Sequence, residues 1–247
     1  MKNRLHLIAL LTLLFLPCQA AASPVVVAAT GWAAAFARAA GAGDVLIIAP
    51  ENLQHPPDYD PKPSDLLRLR DADFIVLGGF EGFAQRLRDS AGGKARMVEV
   101  RLHNSPEVIR EEVLRLGEMF GTRDRAEAFL KDFERECDAL RAEVRQTFKD
   151  SGKRAVAQKF MAMWADFAGL ELLGTYGPGV LQPGDLLRLS ALKPDLVLDN
   201  AHMPAGEPVA EAAGAGLVRL INFPGPGQDL GDVFKTNARA LMDAARK

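Results

Sequence analysis

The sequence predicts an α/β fold made of two lobes that a long helix joins. Short apolar runs alternate with helical patterns in both halves of the chain, which is typical of parallel strands connected by crossover helices. The middle of the chain shows almost no strand pattern and carries two helical patterns instead. We therefore divide the chain into an N-terminal segment (1–22), a first lobe (23–103), linker helices (104–152) and a second lobe (153–247).

The first lobe is predicted from four apolar strands with helices between them. Ser64 and Asp65 mark the start of one helix, because a short oxygen side chain accepts hydrogen bonds from the unpaired amides of the first turn. The predicted strands are 25–29, 45–49, 74–77 and 97–100, and the predicted helices are 32–40, 64–70 and 81–90.

The middle of the chain predicts two helices that Gly121 separates. Pro106 begins the first, and the second runs from about 124 to 150. At about 1.5 Å per residue the second helix spans roughly 40 Å, enough to act as a stiff strut between lobes, although an ordinary surface helix of a single domain has the same periodicity. Its apolar residues recur at three- and four-residue steps and form one stripe: Ala126, Phe129, Leu130, Phe133, Cys137, Leu140, Val144 and Phe148.

Alternation of strands and helices returns in the second lobe. In two such lobes the loops at the carboxyl ends of the strands converge, so the cleft between the lobes is the expected ligand site. The predicted strands are 155–160, 170–176, 196–198 and 218–221, and the predicted helices are 163–168, 183–191 and 229–246.

The first 22 residues have the pattern of a secretory signal peptide. Basic residues precede an apolar run over 5–16, which is too short to span a membrane, and the alanines at 20–22 form a cleavage pattern. Cys18 lacks the preceding small residue of a lipid-attachment site, so lipoprotein anchoring is not expected. We expect a periplasmic, soluble mature protein that begins near Ser23.

Composition argues against two classes of function. The formal net charge of -2 gives no basic face for nucleic acid. No G-x-x-x-x-G-K-[ST] motif occurs, so a phosphate-cradling loop for nucleotides is excluded. The mature chain keeps a single cysteine, Cys137, so no internal disulfide is possible, and its place on the apolar side of a helix predicts that it is buried.

Four segments resemble the metal-binding proteins of zinc and manganese ABC importers. PPDYDPKPSDLLRLRDADFIVLGGFEGF (56–83) is similar to the family's loop, helix and strand, which read close to P-H-D-Y-x-x-x-P-S-D and then A-D-L-V-V. LHNSPEVIREEVLRLGEMFG (102–121) resembles the linker, GLELLGTYGPG (169–179) a second-lobe strand, and INFPGPGQDLGDVFKTNARAL (221–241) the closing segment. The resemblance covers most of the mature chain and implies two lobes held by a rigid helix, with a metal clamped between them.

The family's metal-ligand positions carry other residue types in this chain. The family typically uses three histidines and a carboxylate, donors that suit zinc and manganese. By the resemblance, these positions fall on Pro57, on Arg101, near Gln158 and on Asn222. The usual ligands are therefore substituted.

The three histidines of the mature chain offer a relocated site. His55 lies two residues before the first family position, His103 two residues after the second, and His202 in a loop after a second-lobe strand. A displacement of two residues along a strand returns a side chain to the same face. We predict these histidines as metal ligands, with Asp58, Arg101, Gln158, Asp199 and Asn222 as cleft-lining residues or alternative ligands.

Other interpretations of these residues stay open. His55 also fits a solvated loop, His103 the capping region of a helix, and His202 packing at a lobe edge. Met161 and Met163 raise a soft metal such as Cu(I), although methionines usually fill cores. Arg101 repels a bare cation and favours an anion or a metal held by a carboxylate chelator.

We expect a substrate-binding protein of an ABC importer, a monomer that captures a divalent metal, zinc rather than manganese, and delivers it to a membrane permease with a separate ATPase. No organic cofactor is expected. Two alternatives are the same fold binding a chelated metal or an anion via Arg101, and an envelope interaction protein without a small ligand. An enzyme is least favoured, because G-x-S-x-G and H-E-x-x-H are absent.

Overall fold

The computed structural model describes residues 24–91 and 93–246 and confirms two α/β lobes. The predicted signal peptide and Cys18 lie outside these residues. Each lobe contains one four-stranded sheet in which neighbouring strands run parallel. No helix among the described residues is both long enough and apolar enough to cross a bilayer.

The sheet of the first lobe has the strand order β2-β1-β3-β4. Val26 at the start of β1 pairs with Val45 of β2 on one side and with Phe74 of β3 on the other. The elements are β1 (Val26–Ala28), α1 (Gly31–Ala39), β2 (Val45–Ile47), α2 (Pro63–Leu67), β3 (Phe74–Leu77), α3 (Ala84–Ser90) and β4 (Arg96–Glu99), with one 3₁₀ turn at Pro56–Asp58.

Helix α2 begins one residue before the predicted Ser64. Pro63 is the first helical residue, where a missing N–H costs nothing. The side chain of Asp65 accepts a hydrogen bond from the amide of Lys62 at 2.9 Å. Asp65 thus stabilises the first turn as expected, whereas Ser64 does not cap the helix.

Two long helices lead from the first lobe to the second: α4 (Pro106–Phe120) and α5 (Arg123–Phe148). The Ser105 side chain accepts from the amide of Val108 at the start of α4. Gly121 ends α4 in the left-handed conformation with φ 70°, which glycine adopts without steric cost.

The sheet of the second lobe has the order β6-β5-β7-β8. Helix α8 is the one α-helix of this lobe that the sequence pattern did not predict, because it buries only Val209 and Ala210 and so shows no apolar stripe. The elements are β5 (Arg154–Gln158), α6 (Met163–Ala168), β6 (Glu171–Tyr176), α7 (Pro183–Ala191), β7 (Leu196–Asn200), α8 (Glu207–Ala213), β8 (Gly216–Leu220) and α9 (Leu230–Ala245).

One apolar core runs through both lobes. Residues of β1 and of β7 belong to the same buried cluster, which continues through α4, α5 and α9. Phe133 of α5 packs edge-on against Phe234 of α9 with ring centroids 5.2 Å apart, and Phe234 in turn contacts Trp164 at 5.1 Å. Cys137 is buried in this core, and burial raises the pKa of its thiol to about 11. Helix α5 therefore packs into both lobes and is not a surface helix of one domain.

Candidate functional site

A cleft of about 420 Å³ lies between the two lobes, at the carboxyl ends of the strands. Each of the eight strands is followed by a segment that contributes to its lining, as expected where two parallel sheets face each other. The first lobe contributes Thr30, Gly31, Trp32, Glu51, His55, Pro56, Pro57, Phe80, Leu102, His103 and Asn104, and the second contributes Phe160, Pro178, Met203, Asn222, Phe223 and Pro224.

The cleft wall is mainly apolar and aromatic. Trp32 of the first lobe and Phe223 of the second contact each other, with ring centroids 6.0 Å apart. Phe80 and Phe160 leave 57% and 39% of their surface exposed, although most phenylalanines of the chain are buried. Among the described residues that line the cleft, Glu51 is the one acidic residue, and neither lysine nor arginine is present.

His55 stands on the cleft wall with one ring nitrogen close to a carboxylate. Its Nδ1 lies 2.7 Å from Oδ2 of Asp58, a distance typical of an ion pair, although the angle is not that of an aligned hydrogen bond. A carboxylate at this position favours the proton on Nδ1 and leaves the lone pair of Nε2 for another partner. Metal-binding histidines commonly have this arrangement.

His103 also lines the cleft, but its ring is oriented by the start of α4. Its Nδ1 accepts a hydrogen bond from the amide of Ser105 at 3.0 Å. A ring nitrogen that accepts carries no proton, so in the neutral imidazole the proton lies on Nε2. His103 is therefore held as a hydrogen-bond donor at Nε2, in agreement with the capping interpretation.

His202 is held in the same way by the second lobe. Its Nδ1 accepts from the amide of Asn222 at 3.2 Å, and its ring stacks on Phe223 with centroids 3.6 Å apart. Burial and, secondarily, the nearby charge of His55 lower its pKa to about 4. His202 lines a smaller neighbouring cavity, which shares His55 and Met203 with the main cleft.

The three histidines do not converge on one point. Within residues 24–91 and 93–246 no group of three histidine, cysteine, aspartate or glutamate side chains is close enough to hold a metal ion. His55 and His202 are neighbours, whereas His103 is fixed at the start of α4. The described histidine, cysteine, aspartate and glutamate side chains therefore form no three-ligand group for a bare ion.

Arg101 lies outside the cleft lining and is paired with two carboxylates. Its Nη2 donates to Glu111 and its Nε to Glu112, each at 2.6 Å, and these contacts raise the pKa of the guanidinium. Glu112 is buried and also pairs with Arg115. Two carboxylates of α4 therefore compensate the charge of Arg101.

The predicted oxygen ligands have different places. Asp199 is buried at the end of β7, where its carboxylate accepts from the hydroxyl of Tyr176 at 2.9 Å and from the amides of Ala205 and Gly206. These hydrogen bonds fix the loop that leads into α8. Asp58 is exposed and contacts His55. Gln158 is buried at the end of β5, and its side chain accepts from the amide of Phe160 at 2.8 Å.

Asn222 lines the cleft and connects the lobes at its base. Its backbone oxygen accepts from the side-chain nitrogen of Asn104 at 2.8 Å. This contact fixes the orientation of the Asn104 amide, because a carbonyl oxygen accepts only from the nitrogen end. Oδ1 of Asn104 and Nε1 of Trp32 are buried without a partner among the described residues, each at a cost of about 1–3 kcal/mol.

The loop that carries Phe80 is fixed by a buried carboxylate. Glu81 accepts from the amides of Gly78 and Gly79 at 2.8 and 2.9 Å. Gly79 has φ 85°, a conformation that L side chains rarely adopt. These contacts hold Phe80 in the cleft although its ring has little packing of its own.

The aromatic wall was not predicted from the sequence. Trp32, Phe80, Phe160 and Phe223 each follow a strand within four residues, and that placement was the available signal. The turn at 222–224 lies beside the cleft, where the sequence resemblance placed the start of the closing segment. Aromatic residues at strand ends therefore mark this site better than the histidines do.

Comparison with known proteins shows the fold. The chain matched no protein-family model and no curated protein sequence. Among solved structures, it is similar to the Mn-bound periplasmic metal binding protein from candidatus liberibacter asiaticus, with 12% identity and a TM-score of 0.64 over 90% of this chain and 99% of that one.

Two further structures give the same result. The laminin-binding protein Lbp of Streptococcus pyogenes shares 19% identity and a TM-score of 0.66 over 90% of this chain and 99% of that chain. A zinc-bound 138-173 deletion mutant of ZnuA shares 21% identity and a TM-score of 0.65 over 90% of this chain and 98% of that chain. The chain thus has the two-lobed fold of periplasmic metal-binding proteins, as the sequence resemblance implied.

Proposed function

We propose that this protein is a periplasmic substrate-binding protein of an ABC importer. It captures a cargo that contains a divalent metal in the cleft between its lobes and delivers it to a membrane permease driven by a separate ATPase. The proposal rests on the cleft itself. The segments that follow the eight described strands together form its lining. The signal peptide predicted at 1–22 supports a place outside the cytoplasm.

The solved neighbours support metal as part of the cargo. Among them are one Mn-bound, one Cd-bound and one zinc-bound structure. In this chain, His55 with Asp58 at 2.7 Å is the arrangement most suited to binding a metal. A nitrogen donor favours zinc over manganese, which prefers oxygen ligands.

Capture by this cleft requires binding and no covalent chemistry. Both lobes contribute to the walls, so a bound cargo loses contact with water on two sides. Because a continuous core joins the lobes through α5, we expect the cleft to change little in shape and the permease to assist release. The protein acts as a carrier, not as an enzyme.

Metal analysis of the mature protein tests this proposal. Residues 23–247 are purified without a histidine tag from a zinc-replete envelope fraction, and zinc and manganese are measured by mass spectrometry. We expect about one zinc per chain, lost in His55→Ala because Nε2 of His55 contacts the metal. His103→Ala is the matched control and retains the metal, because Nδ1 of His103 is engaged by Ser105. A metal-free wild-type protein, or equal metal in His55→Ala, would contradict the proposal.

A further inference from the structure

We infer that the cleft takes a flat, mostly apolar organic ligand that is neutral or positively charged, and that the metal enters as a complex of this ligand. The inference rests on the proposed function and names the substrate class of the same site. The cargo is then not a bare ion. It is an organic molecule with a bound metal, and the metal keeps one open coordination position for His55.

The cleft has the size and the apolar surface of a small-molecule site. A cavity of about 420 Å³ is far larger than a single ion needs and falls within the range of small-molecule sites. Phe80 from one lobe and Phe160 from the other expose large apolar surfaces to it. An aromatic organic ligand that packs on these rings removes that surface from water, whereas a hydrated ion does not.

Hydrogen bonds leave two of the three histidines without a lone pair for a metal. His103 and His202 accept backbone hydrogen bonds at Nδ1, so each neutral ring has its proton on Nε2 and offers no lone pair to a metal. Of the three histidines, His55 has its Nδ1 next to a carboxylate. Among the described residues, no group of three histidine, cysteine, aspartate or glutamate side chains completes a site with His55, and zinc sites normally use three or four ligands. The missing donors must come from the cargo.

The charge of the cleft lining disfavours an anionic ligand. Glu51 is an acidic group on the wall, and the part of the lining that the structure describes includes no lysine or arginine. Arg101, which the sequence suggested as an anion-binding residue, is paired with Glu111 and Glu112. A negatively charged chelate would meet no counter-charge on this wall, while a cationic complex faces Glu51.

Two buried polar atoms at the wall fit the same ligand. Within the described ranges, Nε1 of Trp32 is a donor without a partner and Oδ1 of Asn104 an acceptor without one. A ligand that draws each into a hydrogen bond, after a small shift of the side chains that cover them, relieves both. We therefore expect the ligand to carry at least one acceptor and one donor on its edge.

Calorimetric titration with three probes tests the inference: zinc chloride, 1,10-phenanthroline, and their one-to-one complex, which keeps open positions on zinc. We expect phenanthroline to bind, the complex to bind about tenfold more tightly, and zinc chloride to bind more weakly than either. Quenching of Trp32 fluorescence locates the probe in the cleft. Trp32→Phe, which keeps Trp164 and an aromatic wall, is the control for that signal.

Variants separate the apolar and the metal contributions. Phe80→Ala is expected to weaken both organic probes about tenfold, because a partly exposed ring no longer covers them. Leu187→Ala, a similar truncation at an exposed leucine of α7, is the matched control and leaves all affinities unchanged. His55→Ala is expected to remove only the added affinity of the complex.

Three other outcomes would contradict the inference or the metal part of the proposed function. If zinc chloride binds as tightly as the complex and Phe80→Ala has no effect, a bare ion is the cargo, and the inference fails while the proposed function stands. If phenanthroline binds as tightly as its complex in both wild type and His55→Ala, the organic ligand stands and the metal part of the proposed function fails. If no probe binds, the inference fails, and the metal analysis of the purified protein decides the proposed function.

Discussion

At the scale of single residues, hydrogen bonds distinguish three histidines that the sequence could not rank. Nδ1 of His202 accepts from the amide of Asn222, which lies 20 residues further along the chain. No local pattern reveals such a partner, because it depends on how two strand-end loops meet. The capping partner of His103 is only two residues away, and here sequence reasoning did identify the alternative. The sequence therefore suggested the capping partner of His103 but not the partner of His202.

Burial of neutral His202 predicts that acid destabilises the fold. Its pKa is about 4 in the folded protein against 6.5 for an ordinary histidine, so the unfolded chain binds more protons between these pH values. The stability that this histidine contributes is present above pH 6.5 and is lost as pH falls towards 4. Allowing for partial exposure, we expect His202 to account for about 1–2 kcal/mol of that loss.

Urea unfolding of wild type and His202→Asn at pH 7 and pH 4 measures this contribution. The asparagine oxygen can still accept from the amide of Asn222, but it does not titrate. The variant is expected to lose about 1–2 kcal/mol less than wild type between the two pH values. His103→Asn, at an exposed ring, is the control. An equal decline in wild type and His202→Asn would show that this histidine does not titrate as described.

At the scale of elements, the sequence predicted most of the strands and helices and failed where the apolar pattern was weak. Helix α6 has the predicted bounds 163–168 and helix α7 the predicted bounds 183–191. Helix α8 was missed because its two buried residues, Val209 and Ala210, are adjacent and do not form an apolar stripe. Strong periodicity and turn residues are local, so sequence alone identified the elements that depend on them.

One apolar stripe packs helix α5 against the rest of the protein. Removing part of this stripe is expected to lower the free energy of unfolding. Phe133 is buried and contacts Phe129 and Phe234 with ring centroids 5.8 and 5.2 Å apart. Phe133→Ala leaves a cavity where α5 meets α9, and we expect a loss of about 3–5 kcal/mol. Equilibrium unfolding in urea measures this loss. Leu187→Ala, at an exposed site, is expected to change stability by less than about 0.5 kcal/mol; similar effects of the two changes would refute the role given to the stripe.

At the scale of the whole molecule, two lobes share one core. The buried cluster that contains β1 of the first lobe also contains β7 of the second, with α5 between them. The sequence predicted two lobes and a joining helix, but the periodicity of that helix did not show which surfaces it covers. The continuity of the core follows from packing between distant residues, which a single sequence does not display.

A shared core predicts that both lobes unfold together. Unfolding either lobe alone would expose the apolar faces of α5 and α9, so no partly unfolded state is favourable. Differential scanning calorimetry of residues 23–247 is expected to show one transition, with equal calorimetric and van't Hoff enthalpies. Two separated transitions would mean that the lobes are independent and that α5 belongs to only one of them.

Native mass spectrometry of the untagged mature protein, taken from the envelope of its own host, tests the central claim most directly. We expect a mass above that of the polypeptide. The added mass leaves on unfolding and contains both an organic molecule and one zinc. His55→Ala is expected to lose the zinc and keep the organic mass, whereas Phe80→Ala is expected to carry less of both, because the metal enters as a complex of the organic ligand. A protein that carries only the polypeptide mass, under conditions in which the importer is active, would contradict the claim that this cleft captures cargo.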